Sequence, residues 1–130
     1  MPNRYPDREI FVFGPTEIIP LTIPSGTPLS DAFDMSDYRG GAVYVPGTWT
    51  AGNIGFKCSD TLTGTYDITL DKNGVPIQIG TISTGRAGWY AIPTELTPHE
   101  FVKLWSKSTL AAIETDVNQS AQRAMKVALK

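Results

Sequence analysis

The chain has 130 residues, a formal net charge of −2, one cysteine and one histidine. That length gives one domain around one core, the slightly acidic balance leaves no general basic footprint for nucleic acid, and a single cysteine excludes both an internal disulfide and any paired-cysteine metal spacing. No charged-then-apolar leader opens the chain, and no apolar run approaches the ~18 residues of a spanning helix, so the expectation is a soluble protein with no membrane partner, made in a reducing compartment.

Charged residues are only 18% of the chain, and its 12 glycines and 10 prolines are scattered along it. That texture suits short strands joined by turns. Residues 1–16 (MPNRYPDREIFVFGPT) carry Pro2, Pro6 and Pro15, which oppose helix, around the run Ile10, Phe11, Val12 and Phe13. Four large apolar residues in a row are unfavourable in water. The segment reads either as a first strand of the domain or as an arm that buries those side chains on another protein. The division adopted is an extended N-terminal arm, residues 1–16, and a β-domain, residues 17–130.

Strand signals then recur. Residues 17–23 (EIIPLTI) are apolar and β-branched, with Pro20 marking an edge or bulged strand. After the turn at residues 25–28 comes a short extended segment with Phe33 and Met35 inward. Residues 42–45 form a buried-type strand stopped by Pro46 and Gly47. Residues 53–59 alternate, with Ile54, Phe56 and Cys58 on one face. Tyr66, Ile68 and Leu70 repeat the pattern, with Asp67 and Thr69 opposite. Asn73-Gly74 is a strong hairpin turn, so residues 66–79 are expected to be one hairpin, with Val75, Ile77 and Ile79 on its second arm. Residues 88–92 are another short strand, 93–100 a turn or one helical turn, and 101–106 a strand with Val102 and Leu104 inward and Lys103 and Trp105 outward. Residues 108–120 are ambiguous: residues 110–114 could be helical in isolation, but thirteen residues bounded by strands fit a long loop equally well. Residues 121–130 have helix propensity, yet Arg123, Met125, Val127 and Leu129 fall on one side at period two, which favours a closing strand.

The fold class is therefore all-β, an antiparallel sandwich of about eight short strands. Its expected core is Ile54, Phe56, Tyr66, Ile68, Leu70, Val75, Ile77, Val102, Leu104, Met125 and Val127. The positive residues toward the C-terminus, Lys103, Lys107, Arg123, Lys126 and Lys130, read as a solvated strand face.

No residue set frames a reaction, a cofactor site or a metal site. His99 follows Thr97-Pro98 in a turn and lacks a motif partner. Cys58 lies on the apolar face of its strand, where a free cysteine acts as a small hydrophobe. Residues 71–74 resemble a fragment of a calcium loop but lack its other ligands. Residues 80–88 hold glycines near Arg86 without a P-loop lysine. Trp49, Trp89 and Trp105 with Tyr44, Tyr66 and Tyr90 could form a sugar-stacking platform. The plainer expectation is that Trp49 and Trp89 plug the ends of the sandwich and Tyr66 packs in its hairpin. Trp105, outward between Lys103 and Lys107, reads as an interface residue.

Several stretches resemble the small β-sandwich virion proteins of tailed bacteriophages, which decorate or cement the capsid or serve as minor head proteins. They are Phe13-Gly14-Pro15-Thr16 leading into residues 18–23, residues 44–56 (YVPGTWTAGNIGF), residues 58–71 (CSDTLTGTYDITLD), and residues 117–123 (VNQSAQR) before a terminal strand. The resemblance implies a jelly-roll-like fold, no enzymatic activity, no cofactor, and a place on a capsid surface after synthesis in the host cytoplasm. Its partners would be the major capsid protein and further copies of the chain, a trimer being one such homo-oligomer. The alternative is an adhesion module that binds a cell-surface glycan. On either reading Ile10, Phe11, Val12, Phe13 and Trp105 are the expected partner-binding residues.

Overall fold

The computed structural model describes residues 16–80, 82, 85–110 and 112–130; the arm, with Ile10, Phe11, Val12 and Phe13, lies outside these residues. The strands are β1 (Glu17–Ile23), β2 (Leu29–Asp34), β3 (Gly41–Val45), β4 (Asn53–Ser59), β5 (Asp67–Ile68), β6 (Gln78–Ile79), β7 (Gly88–Ala91), β8 (Phe101–Lys107) and β9 (Arg123–Leu129). The one helical element among the described residues is a 3-10 turn, Thr94–Leu96. Residues 121–130 are resolved in favour of alternation over propensity: β9 buries Arg123, Met125, Val127 and Leu129 and turns the residues between them outward.

Two antiparallel sheets form, one in the order β1-β9-β3-β7 and the other β2-β8-β4-β5, with β6 also on β4. β5 meets β4 at Lys57 and Cys58, and β6 meets the same edge of β4 at Ile54 and Gly55. The two are thus one strand interrupted by an extruded hairpin, residues 70–77. That hairpin is closed by the Leu70–Pro76 bridge and turned at Gly74, whose φ of 77° is one glycine adopts without strain. Counted so, eight strands remain, and each sheet draws its strands from both halves of the chain in the order of a jelly roll.

The core lies between the sheets. Leu21, Ile23, Val43, Val45, Met125, Val127 and Leu129 face Phe33, Ile54, Phe56, Ile77, Ile79, Val102 and Leu104, with Met35, Trp49, Ile92 and Leu96 filling the ends. Of the expected core, Tyr66, Ile68, Leu70 and Val75 are misplaced. The alternation in residues 66–70 is real, but its phase is reversed. Ile68 stands opposite the outward Lys57, Tyr66 lies beneath the Lys103 ammonium, 4.5 Å from its ring centroid, and Leu70 is 46% exposed. Thr69 turns inward instead, donating its N–H to the Phe56 carbonyl and accepting at its own carbonyl from Ile77. Its hydroxyl bonds Cys58 Sγ. A strand's period of two makes the choice all or none, since moving one residue inward moves every alternate neighbour outward. Val75 is only half-buried at the extruded hairpin, whereas Ile77 and Ile79 complete the core.

Candidate functional site

The outer face of the β1-β9-β3-β7 sheet is the most distinctive exposed surface among the described residues. Strand alternation places Ile18, Pro20 and Thr22 of β1, Ala124, Lys126 and Ala128 of β9, Ala42 and Tyr44 of β3, and Trp89 and Ala91 of β7 on this side. The register aligns them into rows across the strands: Ile18, Ala128, Ala42 and Ala91 in one, and Pro20, Lys126, Tyr44 and Trp89 in the next. The first row is a trough in which the side chains on β9, β3 and β7 end at Cβ. The second is a ridge in which Tyr44 and Trp89 meet edge to face, centroids 5.4 Å apart at 60°, and Lys126 Nζ lies 5.3 Å from the Tyr44 ring. Trp89 is 51% and Ile18 53% exposed. Lys126 is the one charged residue in these two rows. Solvated sheet faces usually carry polar residues at every outward position, so an aromatic and alanine surface is suited to being covered.

The opposite outer face is already covered. Trp105 points away from the core, as its alternation predicts, but it is 0% exposed, with residues 112–117 of the following loop packed beside it. Its Nε1 donates to Asp116 Oδ1 at 2.7 Å, and the ammonium of Lys57 sits 5.0 Å from its centroid. The ring lies over Gly55, where a Cβ would fall 2.6 Å from Cε3. Lys107 is also fully buried beside it, donating from Nζ to Gln78 Oε1 and to the carbonyls of Ser108 and Leu110 at 2.7 to 3.0 Å. Burial lowers its pKa, against the pull of the Glu114 carboxylate. The expected solvated face is thus corrected at two of its lysines and arginines: Lys107 fastens the loop, and Arg123 belongs to an internal network. Trp105, read from sequence as a partner contact, is an internal pin and offers no surface in this conformation.

At the end of the sandwich where residues 24–28, 46–52 and 118–122 gather, Gln119 uses its whole amide. Oε1 accepts from Thr50 N and Arg123 Nε, and Nε2 donates to Ser106 Oγ and the Thr50 carbonyl. Arg123 Nη2 donates to the hydroxyls of Thr50 and Ser120. These contacts explain the NQSAQR segment as a loop tie. At the other end, an open cleft of about 440 Å³ is lined by residues including Cys58, Asp60, Asp67, Thr69, His99 and Glu100. Burial raises the Cys58 pKa, and the hydrogen bond from Thr69 opposes that rise. A thiol so held is protonated near neutral pH and poorly suited to nucleophilic work. Among the described residues no group of three or more His, Cys, Asp or Glu side chains is placed to hold a metal ion.

The aromatic residues are therefore dispersed. Trp49 is buried, its Nε1 donating to the Gly52 carbonyl at 3.1 Å, and does plug an end; Trp89 does not, and stands on the sheet face with Tyr44. The row around Trp89 escaped the sequence reading, which placed Trp89 at an end of the sandwich and did not align the outward residues of separate strands. The signal was present: apart from Thr22 and Lys126, the outward residues of the four strands are alanine, proline, isoleucine and aromatics where threonine, lysine or glutamate is usual. No protein-family model, curated protein or solved structure matches the chain.

Proposed function

We propose that the chain is a non-catalytic structural protein of a virion, a decoration or cement protein on the outside of a tailed-phage head, made in the host cytoplasm and bound to the major capsid protein and to copies of itself. The observation that supports it most is the uncovered aromatic and alanine face of the β1-β9-β3-β7 sheet. A surface of that composition gains free energy when a partner removes it from water, about 25 cal/mol per Å². The jelly roll adds a compatible architecture, used by capsid and lectin domains alike, though architecture alone assigns no role. The test is particle fractionation with quantitation of the chain. Hundreds of copies per particle, reduced strongly by Trp89→Ala or Ala42→Glu in otherwise folded protein, is the expected result; absence from purified particles refutes the reading.

The exposed Trp89 beside Tyr44 also supports a second reading, a glycan-binding adhesion module, since amphipathic rings stack on sugar faces. The edge-to-face arrangement and the burial of Trp49 and Trp105 leave that platform small. Selective binding on a glycan array, abolished by Trp89→Ala, would favour it over the shell role.

A further inference from the structure

We propose that the outer face of the β1-β9-β3-β7 sheet receives residues 9–13 of a second copy of the chain, so that copies are joined arm to face. This rests on the assembly role above and names the partner of its surface.

Four observations converge. The alanine trough runs across the strands with Ile18 at one end and the Tyr44–Trp89 ridge alongside, and large side chains would fill it. In an extended segment Phe11 and Phe13 project to the same side, as a trough of this kind requires. Size agrees as well: four extended residues span ~13 Å, and the three spacings between four strands span ~14 Å. A face of roughly 14 by 20 Å is, by contrast, smaller than the ~800 Å² per partner of a standard protein interface, so a whole second sheet laid on it would be held weakly. Charge agrees too, because Glu9 immediately precedes the apolar run and Lys126 is the charged residue of the two rows that form the trough and ridge.

Position selects a second copy over the chain's own segment. Residues 1–15 end at Thr16, at the start of β1, the edge strand of this same sheet. If a chain folded its own segment back through Gly14 and Pro15, Phe13 would lie nearest β1 and Glu9 would be carried to β7, two strands beyond Lys126. A segment from a neighbour can run in the opposite sense and bring Glu9 to β9. Each copy would then offer its arm from the edge of one face and receive another arm on that face, a head-to-tail contact that closes into a ring when the rotation permits.

The experiment uses the full chain with Cys58→Ala, into which Glu9→Cys and Lys126→Cys are introduced together. Under mild oxidation, covalent dimers and higher multiples on a non-reducing gel are the expected result. A link formed within one chain, or no link, overturns the proposal. Sedimentation velocity gives a second readout. Either Glu9→Lys or Lys126→Glu weakens self-association by about two- to fivefold, the range of an exposed ion pair, and the two reversals together restore it; no effect of either overturns the proposal. Circular dichroism checks that the fold is intact in each variant. Particle attachment is measured separately. A monomeric chain that still attaches to particles sinks the arm-to-face contact alone, whereas an arm-linked oligomer that never attaches sinks the virion role alone.

Discussion

Replacing Gly55 by alanine tests how tightly the β2-β8-β4-β5 sheet is sealed. The added methyl would stand 2.6 Å from Trp105 Cε3 and 2.9 Å from Lys107 Cδ, against an ordinary carbon contact of ~3.5–4.0 Å. One side must move by about 1 Å. Trp105 has little freedom, because Gly55 is its register partner below, Asp116 holds its Nε1, and residues 112–117 pack beside it. Overpacking of this kind destabilises by ~1–3 kcal/mol. Alanine restricts the unfolded chain and returns ~0.4–1 kcal/mol. The net expectation is a loss of about 1–2 kcal/mol, or a fall in Tm of roughly 4–10 °C for a domain of this size. Differential scanning calorimetry measures it, with near-UV circular dichroism reporting the tryptophans. In a Trp105→Ala background the same substitution should cost clearly less, because the overlapping ring is gone and only the 2.9 Å approach to Lys107 Cδ remains. A Gly55→Ala protein as stable as the parent, or equally destabilised in both backgrounds, would refute the sealed-face argument.

Gln119→Ala strips partners from Thr50 N, Ser106 Oγ and Arg123 Nε together, and a loss of about 2–4 kcal/mol in urea unfolding is expected. Lys107→Met removes the ammonium from three acceptors and should loosen the 108–117 loop first, seen as faster proteolysis there and a stability loss of about 1–3 kcal/mol. Cys58 sets a pH dependence. Its folded pKa lies above the ordinary 9.0, so between 9.0 and that raised value the folded state binds more protons than the unfolded state, and stability falls as pH rises through the window. Subtracting the pH–stability curve of Cys58→Ala isolates this slope, and the thiol should react slowly with disulfide reagents at neutral pH. Trp89→Ala removes an exposed ring and should leave Tm within about 2 °C while weakening particle attachment.

Strands flanked by clear turns, such as β4 and β9, were legible in the sequence because one face is apolar at every second position, and that is enough to fix both element and phase. Residues 66–70 show the limit. Tyr66, Ile68 and Leu70 outrank Asp67 and Thr69 in hydrophobicity, yet a backbone pairing from Thr69 to Phe56, the extruded hairpin and the Cys58 thiol draw threonine inward. Pairing partners are non-local information that a window along the chain lacks. Trp105 and Lys107 failed for a related reason: their outward phase was right, but what lies against a strand's outer face is decided by a loop, and nothing local says that residues 112–117 fold back beside it. The exposed row of the candidate site became legible only when register placed alanines from β9, β3 and β7 side by side.

The position of β9 has a consequence for synthesis. It is the last of the nine strands among the described residues, yet it lies inside its sheet, between β1 and β3, hydrogen-bonded to both. Until it is made, β1 has no neighbour in its sheet, β3 lacks one of its two, and the inward faces of Leu21, Ile23, Val43 and Val45 have no Met125, Val127 or Leu129 beside them. A nascent chain can assemble β2, β8, β4 and the interrupted strand beforehand, but it must keep the other half of its apolar surface waiting. Folding dominated by such distant pairings is slow and exposes strand edges meanwhile. The β1-β9-β3-β7 sheet is therefore closed late, by the arrival of β9 between two strands made long before it.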